Sequence, residues 1–87
     1  MKKLIVTYTD GSSATITPDV DALIAFEDEF DTSLDNFGRR VKHVLWVIHY
    51  MLKREKHTDL PFGEWLLTVE TAEPAEDVNT NPTQPQA

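Results

Sequence analysis

The residues able to do chemistry are few and scattered. Histidines stand at His43, His49 and His57. None lies four residues from another, the spacing that sets two imidazoles side by side on one helix face, and no His-Glu-x-x-His run occurs. On a helix His43 and His49 point well apart, so they read as solvent-facing or interface side chains rather than metal ligands. Cysteine is absent. That removes thiolate nucleophiles, disulfides and cysteine-ligated zinc together. Ser12, Ser13 and Ser33 sit in turn or cap contexts with no histidine placed to activate them. Carboxylates are plentiful, but an acid–base pair needs a cleft that drives two pKa values apart. Glu27-Asp28-Glu29 is instead a run on a short helix, read as a solvated acidic face. Gly38 and Gly63 are isolated and form no phosphate-cradling loop. The expectation is a protein without catalytic, metal or cofactor site.

What remains is the chemistry of contact. Trp46 and Tyr50 are four apart and so are neighbours on a helix surface. Arg39, His43, Lys53 and Arg54 project to the same side, giving an aromatic pair edged by cations. Trp, Tyr and Arg are enriched where binding energy concentrates. The same spacing also suits a central helix covered on both sides, with Trp46 under the third helix or the hairpin. Leu67 falls off the apolar stripe of its own segment and reads as a further surface contact.

Bulk properties bound these readings. Eighty-seven residues hold one domain, whose small core leaves it marginally stable. The net charge of −7 disfavours general nucleic-acid binding. The charge is unevenly spread, since six of eight basic residues lie between Arg39 and Lys56, where Glu55 is the only acid. Lys2 and Lys3 precede only Leu4-Ile5-Val6, too short an apolar run for a signal peptide. The longest apolar stretch, Val44 to Leu52, falls far short of the roughly 20 residues that span a bilayer. Lack of cysteine is compatible with a reducing cytosol.

The elements that must position the contact face follow from periodicity. An α+β fold is expected, mostly helical, with an N-terminal hairpin, three helices and a disordered tail. Residues 4–17 alternate around Asp10-Gly11, a hairpin signal. A two-residue turn would set Ile5 opposite Ile16. A five-residue loop would set Tyr8 opposite Ala14 and Val6 opposite Ile16, and is preferred because it gathers Leu4, Val6, Tyr8, Ala14 and Ile16 on one face. Thr17-Pro18-Asp19 opens a helix over about 18–31, with Thr17 as cap and Val20, Leu23, Phe26 and Phe30 as its stripe. Leu34, Phe37, Val41, Val44, Ile48 and Met51 recur at spacings of three and four, predicting a helix over 34–56 with Gly38 inside it. A third helix is expected over 60–71, with Phe62, Trp65, Leu66 and Val69 on one face. From Glu73 the composition turns to Pro, Glu, Asp, Asn, Thr and Gln, so 73–87 reads as a disordered tail. The single domain is residues 1–72.

Taken in order, the stretches LIVTYTDGSSATITP, AFEDEF, VLWVIHYMLKRE and LPFGEWLLTVE resemble the small tail assembly chaperones of long-tailed, non-contractile bacteriophages. The resemblance covers roughly residues 1–72 and rests on aromatic spacings. It implies a chaperone that coats the largely helical tape measure protein before tail tube subunits polymerise around it. Such a protein acts in the host cytoplasm during assembly and is absent from the mature virion. Many are made in a short form, which this chain would match, and a longer frameshifted form that recruits the tail tube protein. Head-to-tail self-association into rings or spirals would suit the acidic first and basic second helix. Competing readings are a small phage-type regulator or inhibitor of a host protein, and a nucleic-acid module using the basic face.

Overall fold

The computed structural model describes residues 3–75. Strands β1 (Leu4–Tyr8) and β2 (Ser13–Ile16) form the expected hairpin. Its register is neither of those considered: Leu4 faces Ile16 and Val6 faces Ala14. The turn sets this. Gly11 N–H donates to the Tyr8 carbonyl at 3.0 Å and Tyr8 N–H to the Ser12 carbonyl at 2.8 Å, leaving Thr9-Asp10-Gly11 as a three-residue loop. Gly11, at φ +92°, takes the left-handed position such a loop needs. The Asp10 carboxylate accepts from Ser12 N–H at 2.8 Å and from its hydroxyl at 2.6 Å. The slip is of two residues, so the apolar face survives: Leu4, Val6 and Ile16 are buried, with Tyr8 and Ala14 packed beside them.

A third strand, β3 (Val69–Pro74), replaces the end of the expected third helix and the start of the expected tail. It pairs antiparallel with β1, so the sheet order is β2-β1-β3. Tyr8 faces Val69 and Thr7 faces Thr71, which leaves Glu70 as a bulge. Ala75 N–H donates to the Lys3 carbonyl at 2.8 Å. Residues 76–87 of the expected tail lie outside the described residues.

Helix α1 (Val20–Phe30) begins two residues later than a Thr17 cap would place it. The cap is Asp19, whose carboxylate accepts from Ala22 N–H at 3.0 Å. Val20 therefore leaves the inward stripe and is exposed, while Ala22 and Phe26 are fully buried. The helix closes on Asp31, left-handed at φ 51°. The expected 34–56 helix is broken. Leu34–Asn36 form one 3-10 turn, Phe37 is extended, Gly38 takes φ +88°, and α2 (Val41–Arg54) begins only afterwards. Val41 is consequently exposed rather than core. Phe37 turns back to meet Phe26 edge-on, ring centroids 5.1 Å apart. That contact does not extend a helical stripe.

Helix α3 is a short piece, Phe62–Leu66. One core joins the layers: Leu4, Val6 and Ile16 from the sheet, Ala22 and Phe26 from α1, Val44, Val47, Ile48, Met51 and Leu52 from α2, and Trp65 from α3. Fully burying a side chain such as Phe26 or Ile48 contributes about 1.5–3 kcal/mol each. The hairpin thus lies on helices of its own chain. More of the described chain is helix than strand, as the α+β reading expected.

Candidate functional site

Trp46 and Tyr50 occupy the outer face of α2 and stack, with centroids 5.3 Å apart and planes 20° from parallel. Both are half-buried. Trp46 also meets Phe30 of α1 edge-on at 5.8 Å, so its cover comes from the first helix, not from α3 or the hairpin. The stack forms the floor of a groove of about 500 Å³ that is completed by His49, Lys53 and Arg54 of α2 and by Pro61 and Phe62 at the start of α3.

Each wall of the groove has an identifiable brace. On the α3 side, buried His49 lies with Nε2 at 2.8 Å from the Leu60 carbonyl. A carbonyl only accepts, so Nε2 carries the proton. The imidazole also packs against Phe62 and Trp65, at 5.4 and 5.3 Å. It thereby holds the α2–α3 connection and sets the position of Pro61 and Phe62. On the α1 side, the Arg54 guanidinium spans Asp19 at 2.7 Å and Asp21 at 2.8 Å. The Tyr50 hydroxyl donates to the same Asp21 carboxylate at 2.8 Å. These bonds hold both carboxyl groups below their ordinary range, Asp19 through Arg54 and Ala22 N–H, Asp21 through Tyr50 and then Arg54. The Tyr50 phenol is pushed up by the same Asp21 carboxylate. Because these groups are partly exposed, solvent screens the pairs and their main effect is geometric.

The structure separates the residues that the sequence grouped. Trp46, Tyr50, Lys53 and Arg54 come together at the groove. His43 does not belong to that surface. It is buried, with ring centroids 4.9 Å from both Phe26 and Phe30, stacked on Phe37, and Nδ1 3.1 Å from the Asn36 carbonyl. The solvent-facing reading of His43 and His49 is corrected for both, because aromatic rings of α1 and α3 close over the flanks of α2, while His49 still lines the groove. Arg39 precedes α2 and lines a separate, more polar cavity of about 480 Å³ with Arg40, His43, Asn36 and Thr32. Leu67 is 81% exposed at the end of α3, outside the groove lining. Sequence reasoning did not single out His49, Pro61 and Phe62 as lining the groove, nor Asp21 as the partner of Tyr50 and Arg54. Asp21 meets Tyr50 only through tertiary packing, and Phe62 shares its spacing with the buried Trp65.

Among the described residues no group of three or more His, Cys, Asp or Glu could hold a metal ion. No described helix is long and apolar enough to cross a membrane. No protein-family model matches the chain, and no curated protein or solved structure shows significant similarity to it.

Proposed function

We propose that this chain is a tail assembly chaperone of a long-tailed, non-contractile bacteriophage, which solubilises the tape measure protein by holding its amphipathic helices. The observation that carries the reading is the groove in which the Trp46–Tyr50 stack faces Phe62. Aromatic side chains give a large apolar contact at low entropic cost, and an apolar helix face laid into such a groove is a recurring mode of recognition. The second support is the resemblance over residues 1–72. Copies bound along one long partner add avidity to a weak single contact. In this reading the protein works in the host cytoplasm before tube assembly, and the tail tube protein is engaged only by a longer isoform.

Co-expression with the tape measure protein of the same phage tests the proposal. The expected result is soluble tape measure with the native chain and less of it with Trp46→Ala or Tyr50→Ala. Tape measure that is equally insoluble with and without the chain sinks the proposal. The nucleic-acid reading retains one observation. Arg39, Arg40 and Lys42 are exposed and form no ion pair among the described residues. Absence of DNA binding at low salt ends that reading.

A further inference from the structure

The outer row of α2 reads Lys42, Trp46, Tyr50 and Lys53, at spacings of four, four and three. Residues so spaced follow one another along a single helix face. The aromatic pair therefore has one cation a turn before it and another a turn after it, about 16 Å apart along the axis. Both lysines are exposed, and neither has an ion-pair partner among the described residues. Lys53 lines the groove. Lys42 stands outside its lining, with Nζ 6.0 Å from the ring of Phe30, the ring that Trp46 also meets. Arg54 differs from both, because its guanidinium is taken up by Asp19, Asp21 and Glu55 of its own chain. No carboxylate lines the groove. The unpaired charge along this row is thus positive, although the chain as a whole carries −7.

We infer that the groove selects an acidic amphipathic helix, one whose apolar stripe carries Asp or Glu beside it to meet Lys53 and Lys42. The inference rests on the groove being the partner-binding site. Apolar side chains of the occupant lie on Trp46, Tyr50 and Phe62, a contact open to any amphipathic helix. The lysines add the discrimination. Their methylene stems extend the apolar surface while the ammonium groups reach a carboxylate. A basic helix of the same apolar content sets like charges against them, and such repulsion is an ordinary source of specificity. Because cations stand at both ends of the aromatic pair, the selection is for charge and not for direction. Exposed pairs are individually weak, so an acidic helix is favoured over a neutral one by roughly fivefold.

The test uses the full chain and three synthetic peptides of about 20 residues, long enough to hold a helix in water. They share one leucine–alanine stripe and carry Glu, Gln or Lys at the positions beside it. Affinity is read by NMR from the Trp46 indole N–H, with the buried Trp65 indole as internal control, at about 0.15 M salt, where charges beyond roughly 8 Å are screened. The expected order is Glu tighter than Gln and Gln tighter than Lys, the reverse of what the net charge alone would give. The preference should vanish in Lys42→Gln/Lys53→Gln, which changes only exposed side chains, and shrink at 1 M salt. Equal affinities, or the Lys peptide first, overturn the charge selection and leave the groove reading standing. No perturbation of Trp46, Tyr50 or Phe62 by any peptide overturns both. An oligothymidine strand that displaces the Glu peptide makes nucleic acid the occupant. Groove signals that follow the concentration of the chain alone make a second copy the occupant. Peptide binding that emerges only when residues 76–87 are removed makes the chain's own end the occupant. Each of these three outcomes overturns the inference.

Discussion

The Tyr50 hydroxyl reaches across from α2 to donate a 2.8 Å hydrogen bond to Asp21 in the first turn of α1. This bond ties the floor of the groove to α1. It is the largest influence holding the Asp21 carboxyl below its ordinary range, ahead of Arg54. Tyr50→Phe keeps the ring and its stacking on Trp46 while removing the donor. The Asp21 carboxyl is then expected to titrate closer to the ordinary value, read by NMR of the carboxyl carbon. An unchanged titration would show that the bond is not formed in solution.

The same cluster fixes how stability responds to acid. Asp19 and Asp21 both have native pKa values lowered from about 3.8. A lowered native value means that the contribution is complete above the unfolded value and is lost as pH falls through the native one. The thermal midpoint should therefore hold through neutral pH and fall below about pH 4. Arg54→Met should lower the midpoint at neutral pH and flatten this acid limb. If the limb keeps its slope in Arg54→Met, other carboxylates dominate it.

The two tryptophans should behave differently. Trp65 is 2% exposed, between Tyr8 and His49. Trp65→Ala is expected to cost about 3–5 kcal/mol, close to the whole stability of a domain this small. Half-buried Trp46 leaves part of its ring in solvent, and Trp46→Ala should cost less than about 2 kcal/mol. Its larger effect should fall on partner binding. Denaturant unfolding of both variants decides this, and a Trp46→Ala domain that fails to fold would make Trp46 a core residue.

Glycine to alanine should change sign with position. An added Cβ meets nothing within 4 Å at either Gly38 or Gly63, so the backbone alone decides. Gly38 sits at φ +88°, where a side chain is strained, and Gly38→Ala should destabilise by about 1 kcal/mol. Gly63 lies within α3, and Gly63→Ala should stabilise by about 0.5 kcal/mol through the unfolded chain. Equal effects at the two sites would contradict the assigned backbone.

These glycines also explain what the sequence conceals. Leu34, Phe37, Val41 and Val44 keep a helical spacing that looks continuous, yet the extended Phe37 and the left-handed Gly38 break it. Phe37 earns its apolar character by meeting Phe26, not by extending a stripe. A similar coincidence hides β3. Its bulge at Glu70 leaves the inward-facing Val69 and Ala72 three residues apart, which imitates a helical period. The hairpin face, the core of α2 and the Trp46–Tyr50 pair were legible because each follows from local period. The burial of His43 and the bonds from Tyr50 and Arg54 to Asp21 were not, because both depend on how α1 lies across α2.

Truncation provides a direct check on β3. A chain ending at Ala75 keeps every described strand pair. One ending at Ala72 loses the residues that face Leu4 and Ile5, and should melt at a distinctly lower temperature. If both truncations melt alike, Glu73 and Pro74 do not contribute to the sheet.

The sheet order has a consequence for the order of synthesis. β1 is translated first among the described strands yet is the middle one, and its second neighbour is the last described element. The hairpin can form as soon as Ile16 is made, but a lone hairpin is only marginally stable. One edge of β1 then waits, with unpaired amides and carbonyls, until both longer helices and α3 have been translated. Non-local pairing of this kind slows folding and favours completion as a single event. A ribosome carrying an unfinished copy therefore displays an open strand edge, and the protein closes that edge only when residues 69–74 emerge.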